Sequence, residues 1–177
     1  APFVKMSYEA YKKKYSQYPI DIELQNKLVQ QDLQKEIEAS VQTFNYQLST
    51  MNSTNGQSPF LSLSMYLNEN PEYKKETAML IEEFLKQRTE GMKNEYGVKA
   101  TQTFPKLLFF LDEDNMYPNS EYYYLKQLAI KSTAKRMNPD YISVKRMKEV
   151  YGYAFPCMGC RSFLSPWYNE KGEVQFY

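Results

Sequence analysis

The chain has 177 residues, long enough for one domain with a sizeable core. Its 22 Lys and Arg against 21 Asp and Glu leave a net charge of +1, which gives no basic field for general nucleic-acid binding. Mean hydropathy is −0.68 and no stretch approaches the ~20 apolar residues of a membrane span, so no membrane or nucleic-acid partner is expected.

Ser7 to Ser16 reads as a short helix with Ser7 as N-cap, and Lys12-Lys13-Lys14 as one of its solvated faces. After Tyr18-Pro19, Leu24, Leu28, Val29, Leu33, Ile37, Val41, Phe44, Leu48 and Met51 recur mostly at three- and four-residue steps. That is the one-face pattern of an amphipathic helix. Over residues 21–51 it would span roughly 45 Å, more than one small domain needs, and so suggests a surface shared with a partner subunit or a neighbouring domain. Turn residues follow from Asn52 to Ser58, then a strand over 59–66 and a helix over 72–93 with Met79, Leu80, Phe84 and Leu85 inward. Phe104 to Leu111 is too apolar for a one-sided strand and fits a buried parallel one. Ser120 is read as the N-cap of a helix to about Met137. A strand over 141–144, a helix over 145–150 and a hairpin over 165–177, turning at Glu170-Lys171-Gly172, complete the chain.

Strand, helix, strand, helix, strand predicts an α/β fold with parallel pairing, whose ligands sit at the carboxyl ends of the strands. Asp112, Glu113, Asp114 and Asn115 fall there and read first as a solvated loop. The domain organisation expected is 1–52 as N-terminal helices in an interface region and 53–177 as an α/β unit. The absence of an initiator Met and the apolar ending suggest an excised piece of a larger protein. No signal peptide is legible in Ala1-Pro2-Phe3-Val4, and two cysteines make no disulfide scaffold, so a reducing cytoplasm is the expected compartment.

The chain has no histidine, so Ser-His, Cys-His and His-metal constellations are excluded within it. Neither a Walker A nor a Rossmann fingerprint can be written from the six glycines. Asn55-Gly56-Gln57-Ser58 reads either as a plain turn, with Gly56 at positive φ, or as a backbone and amide cradle for a polar ligand. Tyr122-Tyr123-Tyr124 point in different directions on a helix and cannot form one stacking surface. Cys157-Met158-Gly159-Cys160 leaves three readings open: half a zinc site, a redox dithiol, or one reactive cysteine beside a bystander. Two cysteines in a buried turn are the plain structural alternative.

Met158-Gly159-Cys160-Arg161-Ser162-Phe163-Leu164 closely resembles the cysteine-loop motif of anaerobic, class III ribonucleotide reductases, which are glycyl-radical enzymes. Residues 48–53 (LSTMNS) and 56–60 (GQSPF) resemble the family's helix end and following strand, and 122–143 resembles the stretch before its cysteine loop. The likeness covers roughly residues 30–177 and leaves 1–30 unplaced. It implies part of a ten-stranded α/β barrel with the cysteine loop threading its centre. It implies further that Cys160, as a thiyl radical, takes hydrogen from C3′ of a ribonucleoside triphosphate, with Gly159 allowing the tight path at the loop tip. Met158 resembles the formate-using branch rather than the redoxin-using one. Asn55, Gly56, Gln57 and Ser58 are carried as substrate-binding candidates with Gly159, and Cys157 as a bystander.

By the same resemblance the whole enzyme would use a glycyl radical, formate and a structural zinc outside this chain. It would meet ATP and deoxynucleotide effectors, a radical-SAM iron–sulfur activating enzyme and a second copy of itself. The radical-glycine segment, the C-terminal cysteine zinc site, the ATP-cone region and the family's upstream second cysteine are not found in this sequence. The fragment alone is therefore expected to be inactive. Another glycyl-radical enzyme of the formate-lyase or dehydratase type, a non-catalytic interaction domain docking through the long helix, and a small thiol redox protein are the alternatives.

Overall fold

The computed structural model describes residues 1–51, 56–57, 60–93, 95–102, 104–157 and 167–175. Two helices open the chain, α1 (Pro2–Tyr15) and α2 (Ile22–Thr50). α1 begins at Pro2 rather than at Ser7, because proline is pre-set for the first helical position and needs no N–H partner there. Ser7 lies inside the helix, and its hydroxyl donates across to Glu36 Oε1 at 2.8 Å. α2 starts where Asp21 accepts the Glu23 N–H and buries Val29, Leu33, Ile37, Val41 and Leu48, the stripe the periodicity predicts. Leu24 and Met51, at its two ends, are exposed instead. The Tyr15 hydroxyl, 2.5 Å from Asp32 Oδ2, ties the end of α1 to α2.

Three strands, β1 (Ser62–Met65), β4 (Lys106–Leu111) and β5 (Asp140–Ser143), form a parallel sheet in the order β1-β4-β5. Leu63 is level with Leu107, and Phe109 with Tyr141. A single 3₁₀ turn (Pro71–Tyr73) and α3 (Lys74–Glu90) return the chain from β1. α4 (Glu113–Met116) and α5 (Tyr123–Arg136) return it from β4. This is the mixed α/β arrangement with parallel pairing that the element order predicts, and β4 is central and buried as its composition demands.

α3 is buried on two sides. Ala78, Ile81 and Leu85 pack with Leu107, Phe109, Leu125 and Ala129 to make the core between the sheet and α3 with α5. Met79, Leu80 and Phe84 pack outward against Val4, Leu33, Ile37 and Val41, so α2 lies on the outside of α3. Each fully buried aliphatic side chain in these clusters contributes about 1.5–3 kcal/mol of transfer free energy.

α3 stops at Gly91 rather than continuing to Lys93. At φ +80°, a Cβ on Gly91 would lie 2.6 Å from the Ala100 carbonyl oxygen and 2.7 Å from Arg136 Nη2. Arg136 approaches there because its guanidinium donates to the Glu90 carbonyl at 2.7 Å and the Thr89 carbonyl at 3.1 Å, satisfying the end of α3. A two-residue ribbon follows, β2 (Met92–Lys93) paired antiparallel with β3 (Lys99–Ala100), which the sequence did not announce. Arg88, buried in the last turn of α3, donates to the Gln102 carbonyl at 2.6 Å and the Pro105 carbonyl at 2.7 Å. Burial pulls its pKa down to about 10, so it stays cationic at neutral pH and holds the segment leading into β4.

α5 starts at Tyr123, not at Ser120, whose hydroxyl donates to the Glu113 carbonyl instead of capping the helix. α6 (Val144–Tyr151) follows β5 directly, capped by Ser143 and closed at Gly152. β6 (Trp167–Tyr168) and β7 (Val174–Gln175) form the predicted terminal hairpin, closed by the Asn169 N–H bonding the Glu173 carbonyl at 3.1 Å.

Candidate functional site

Side chains alternate across β4, and the two faces have different neighbours. Leu107 and Phe109 face α3 and α5. Leu108 and Phe110 face the other way, into a cluster with Ile142, Val144, Met147 and Cys157, flanked by Tyr66, Ala154 and Phe155. The Tyr66 and Phe110 rings stack at 5.0 Å. Beyond Gly152 the chain is held by ring contacts of Phe155 with Tyr151 (5.4 Å) and Tyr153 (5.0 Å). It then enters the cluster at Cys157, a free thiol that is only 4% exposed.

Cys157 is therefore a core residue on the second face of the sheet, as the buried-turn alternative expects of this cysteine. Cys160, Met158 and Gly159 lie outside the described residues, as do Asn55 and Ser58. Gly56 has φ +73° with open space around it, as a plain turn requires. Gly56 and Gln57 are exposed, and neither lines either of the two cavities described next.

The carboxyl edge of the sheet carries a polar cluster rather than a solvated loop. Asp112 caps α4 by accepting the Glu113 N–H at 2.9 Å, and the Asn115 side chain completes a capping box and donates to the Phe110 carbonyl at 2.9 Å. Asn68, just beyond β1, donates to Asp112 at 2.9 Å and to Asp114 at 2.7 Å, and Lys74 reaches Asp114 at 2.9 Å. A cleft of about 700 Å³ opens beside this cluster, with Asp112, Glu113, Tyr117, Lys145 and Lys148 in its wall. Sequence reasoning placed the acidic run at this edge but missed Asn68 and Lys74. The Asp-x-x-Asn capping pattern was the signal that could have predicted an ordered turn.

Lys74 and Asn68 hold the Asp114 carboxyl below its ordinary value of 3.8. A depressed carboxyl stabilises the fold above that ordinary value and loses its contribution as pH falls through the folded value. Lys74→Met is expected to cost under about 1 kcal/mol near neutral pH, since the pair is about a third exposed, and to cost less near pH 3. Urea titrations of both chains at the two pH values check this, and a cost that grows on acidification would contradict it.

A second cavity, of about 710 Å³, lies between α2, the end of α3 and the β2–β3 ribbon, lined by Gln42, Asn45, Tyr46, Gln87, Lys93 and Lys99 among others. Buried Asn45 donates to Gln87 Oε1 at 3.2 Å, and its own Oδ1 has no hydrogen-bond partner. Among the described residues no group of three or more Cys, Asp or Glu is placed to hold a metal ion, and no helix is long and apolar enough to cross a membrane.

Residues 1–176 match the model of the family described as anaerobic ribonucleoside-triphosphate reductase. Residues 1–30, which the sequence resemblance left unplaced, fall within this match. Curated relatives bear that same description. The one from Enterobacteria phage T4 is 33% identical over 175 residues, covering 97% of this chain and 27% of the relative. Those from Escherichia coli K12 and Salmonella typhimurium LT2 are each 34% identical, covering 98% of this chain and 23% of the relative. The chain thus spans about a quarter of the length of these relatives. End-to-end similarity at this level establishes that the chain belongs to the anaerobic ribonucleoside-triphosphate reductase family.

Proposed function

We propose that this chain is the part of an anaerobic ribonucleotide reductase catalytic subunit that carries the radical cysteine, Cys160. The observation that supports it most directly is the second face of the sheet. That face is free of α3 and α5, and the root of the cysteine loop is packed on it at Cys157, three residues ahead of Cys160. In this reading the sheet β1-β4-β5 is one arc of the family's ten-stranded barrel, with residues 1–52 as the interface region and 53–177 as barrel.

Cys160 abstracts the hydrogen atom from C3′ of a bound ribonucleoside triphosphate. Sulfur suits this step because S–H and ribose C–H bonds are close enough in strength for reversible exchange. The 2′-hydroxyl then leaves as water. Formate supplies the two reducing electrons and leaves as carbon dioxide, a choice supported by Met158 two residues before Cys160. The balance is ribonucleotide, formate and a proton in, deoxyribonucleotide, carbon dioxide and water out. The one-electron oxidant is a glycyl radical carried outside this chain. The described surroundings suit radical chemistry. The Cys157 cluster is apolar packing, and burial and Asp112 raise the pKa of Tyr66 beside it, keeping the phenol neutral.

The same reading includes a homodimer, supported by exposed Phe3, Met6 and Ile22 on α1 and α2. It also includes ATP and deoxynucleotide effectors, a radical-SAM iron–sulfur activating enzyme, a zinc site outside the chain and a cytoplasmic role in making DNA precursors. The test uses the full-length protein, activated anaerobically and given a ribonucleoside triphosphate with formate. Deoxynucleotide and carbon dioxide are expected in equal amounts. Turnover that needs a dithiol and releases no carbon dioxide assigns the redoxin branch instead, and no deoxynucleotide with either reductant removes the proposed activity.

A further inference from the structure

We infer that the cavity between α2, the end of α3 and the β2–β3 ribbon binds a small zwitterion, a free amino acid or short peptide. Its ammonium meets Asn45 and its carboxylate meets the ribbon lysines. The described lining of this cavity is distinct from the Cys157 cluster, and the site does not depend on the radical chemistry. Its floor is an ordered chain of polar groups that ends in an open acceptor. Glu83 is buried, and its carboxylate accepts from Gln34 Nε2 at 3.1 Å and from Gln87 Nε2 at 2.8 Å. Gln87 Nε2 also donates to the Glu38 carbonyl at 3.0 Å, so both its N–H groups are used and its Oε1 is turned to Asn45. Asn45 must then present Nδ2, at 3.2 Å, which leaves Oδ1 as the remaining end of its amide. Asn45 lines the cavity, is 4% exposed, and its Oδ1 has no partner. A buried acceptor without a donor is a standing cost that a ligand N–H removes. The donor bonds behind it polarise the amide and make Oδ1 a better acceptor.

The ribbon supplies the second, independent pointer. Lys93 and Lys99 are directly opposite in the β2–β3 register, and both line the cavity. Like charges placed opposite each other on one face of a ribbon repel. Glu90, 3.3 Å from Lys99 Nζ, answers one ammonium group, and a ligand carboxylate would answer the other. Glu38 and Glu90 balance Lys93 and Lys99, so these four lining residues carry no net charge. That selects against a polyanion such as a nucleoside triphosphate and for a molecule that is neutral overall with separated charges. The frame is held in place. Arg136, which closes α3 at Gly91, also donates to Thr101 Oγ1 at 3.1 Å and so ties the chain just past β3 to the end of α3. At about 710 Å³ the cavity falls within the size range of small-ligand sites.

The experiment titrates glycylglycine into the full-length protein and reads binding by saturation-transfer NMR and calorimetry. A millimolar dissociation constant is expected for a probe of so few atoms. N-acetylglycylglycine lacks the ammonium and glycylglycine amide lacks the carboxylate, and the acetylated probe is expected to bind at least ~10-fold more weakly. Asn45→Leu should weaken glycylglycine by a similar factor. Lys93 is exposed on the ribbon, so Lys93→Met leaves the fold intact. It should weaken glycylglycine roughly two- to five-fold and leave the amide probe unchanged. No detectable glycylglycine binding, equal binding of all three probes, or binding unmoved by Lys93→Met would each overturn the site. ATP binding more tightly than glycylglycine, and weakened by the same two substitutions, would overturn the zwitterion and assign the cavity to a nucleotide.

Discussion

Cys160→Ser in the full-length protein is expected to lower ribonucleoside-triphosphate reduction by at least ~10⁴-fold, the scale on which removing the reacting group of an enzyme acts. Glycyl-radical formation should be intact. The substitution changes one atom and little volume, so a loss of this size cannot come from packing. It comes from bond strength, because an alcohol O–H bond is much stronger than a ribose C–H bond. A serine oxyl radical would therefore not be reached from the glycyl radical, and hydrogen could not be passed back to the product. The acidity of the thiol, which governs ordinary cysteine nucleophiles, does not enter a homolytic step. Measuring the radical signal and deoxynucleotide formation on the same sample separates the two requirements. Reduction retained by this variant would remove Cys160 from the chemistry and leave the motif at 158–164 without its expected role.

What could be read from the sequence followed from periodicity and composition. The stripe from Leu24 to Met51 predicted α2, though its two ends are exposed, and the apolar run 107–111 predicted a buried parallel strand, because both signals repeat over several residues. Helix starts were less legible, since they depend on which polar group wins locally. Ser7 and Ser120 look like caps, but Ser7 bonds Glu36 and Ser120 bonds the Glu113 carbonyl. The β2–β3 ribbon pairs only two residues on each side, too short to leave an alternating pattern. α3 ends early because of Arg136, which comes from another helix 46 residues away from Glu90 in sequence. Within the candidate site, the MGCRSFL motif singles out Cys160 by resemblance alone, and spacing carries no information on burial. That is why the place of Cys157 beneath Phe110 emerged only with the fold.

Phe109→Ala and Phe110→Ala should separate the two faces of β4. Both rings are fully buried, at 0% and 1% exposure, so each truncation is expected to cost ~3–5 kcal/mol in urea unfolding. The residues are neighbours on one strand, and strand geometry sends their side chains to opposite faces. Phe109 packs with Ile81, Leu85, Leu125 and Ala129, so its cavity opens toward α3 and α5. Phe110 packs with Tyr66, Ile142, Met147 and Cys157, so its cavity opens beneath Cys157, at the root of the proposed radical loop. With stability losses of similar size, turnover per glycyl radical in the full-length protein should fall roughly ten-fold further in Phe110→Ala than in Phe109→Ala, because only the former lets the loop root shift. Equal losses of turnover would mean that the sheet transmits damage from both faces alike, and the second face would then have no special claim on the loop. The expected asymmetry would link the alternation of one apolar strand, legible in the sequence, to the placement of a single sulfur atom.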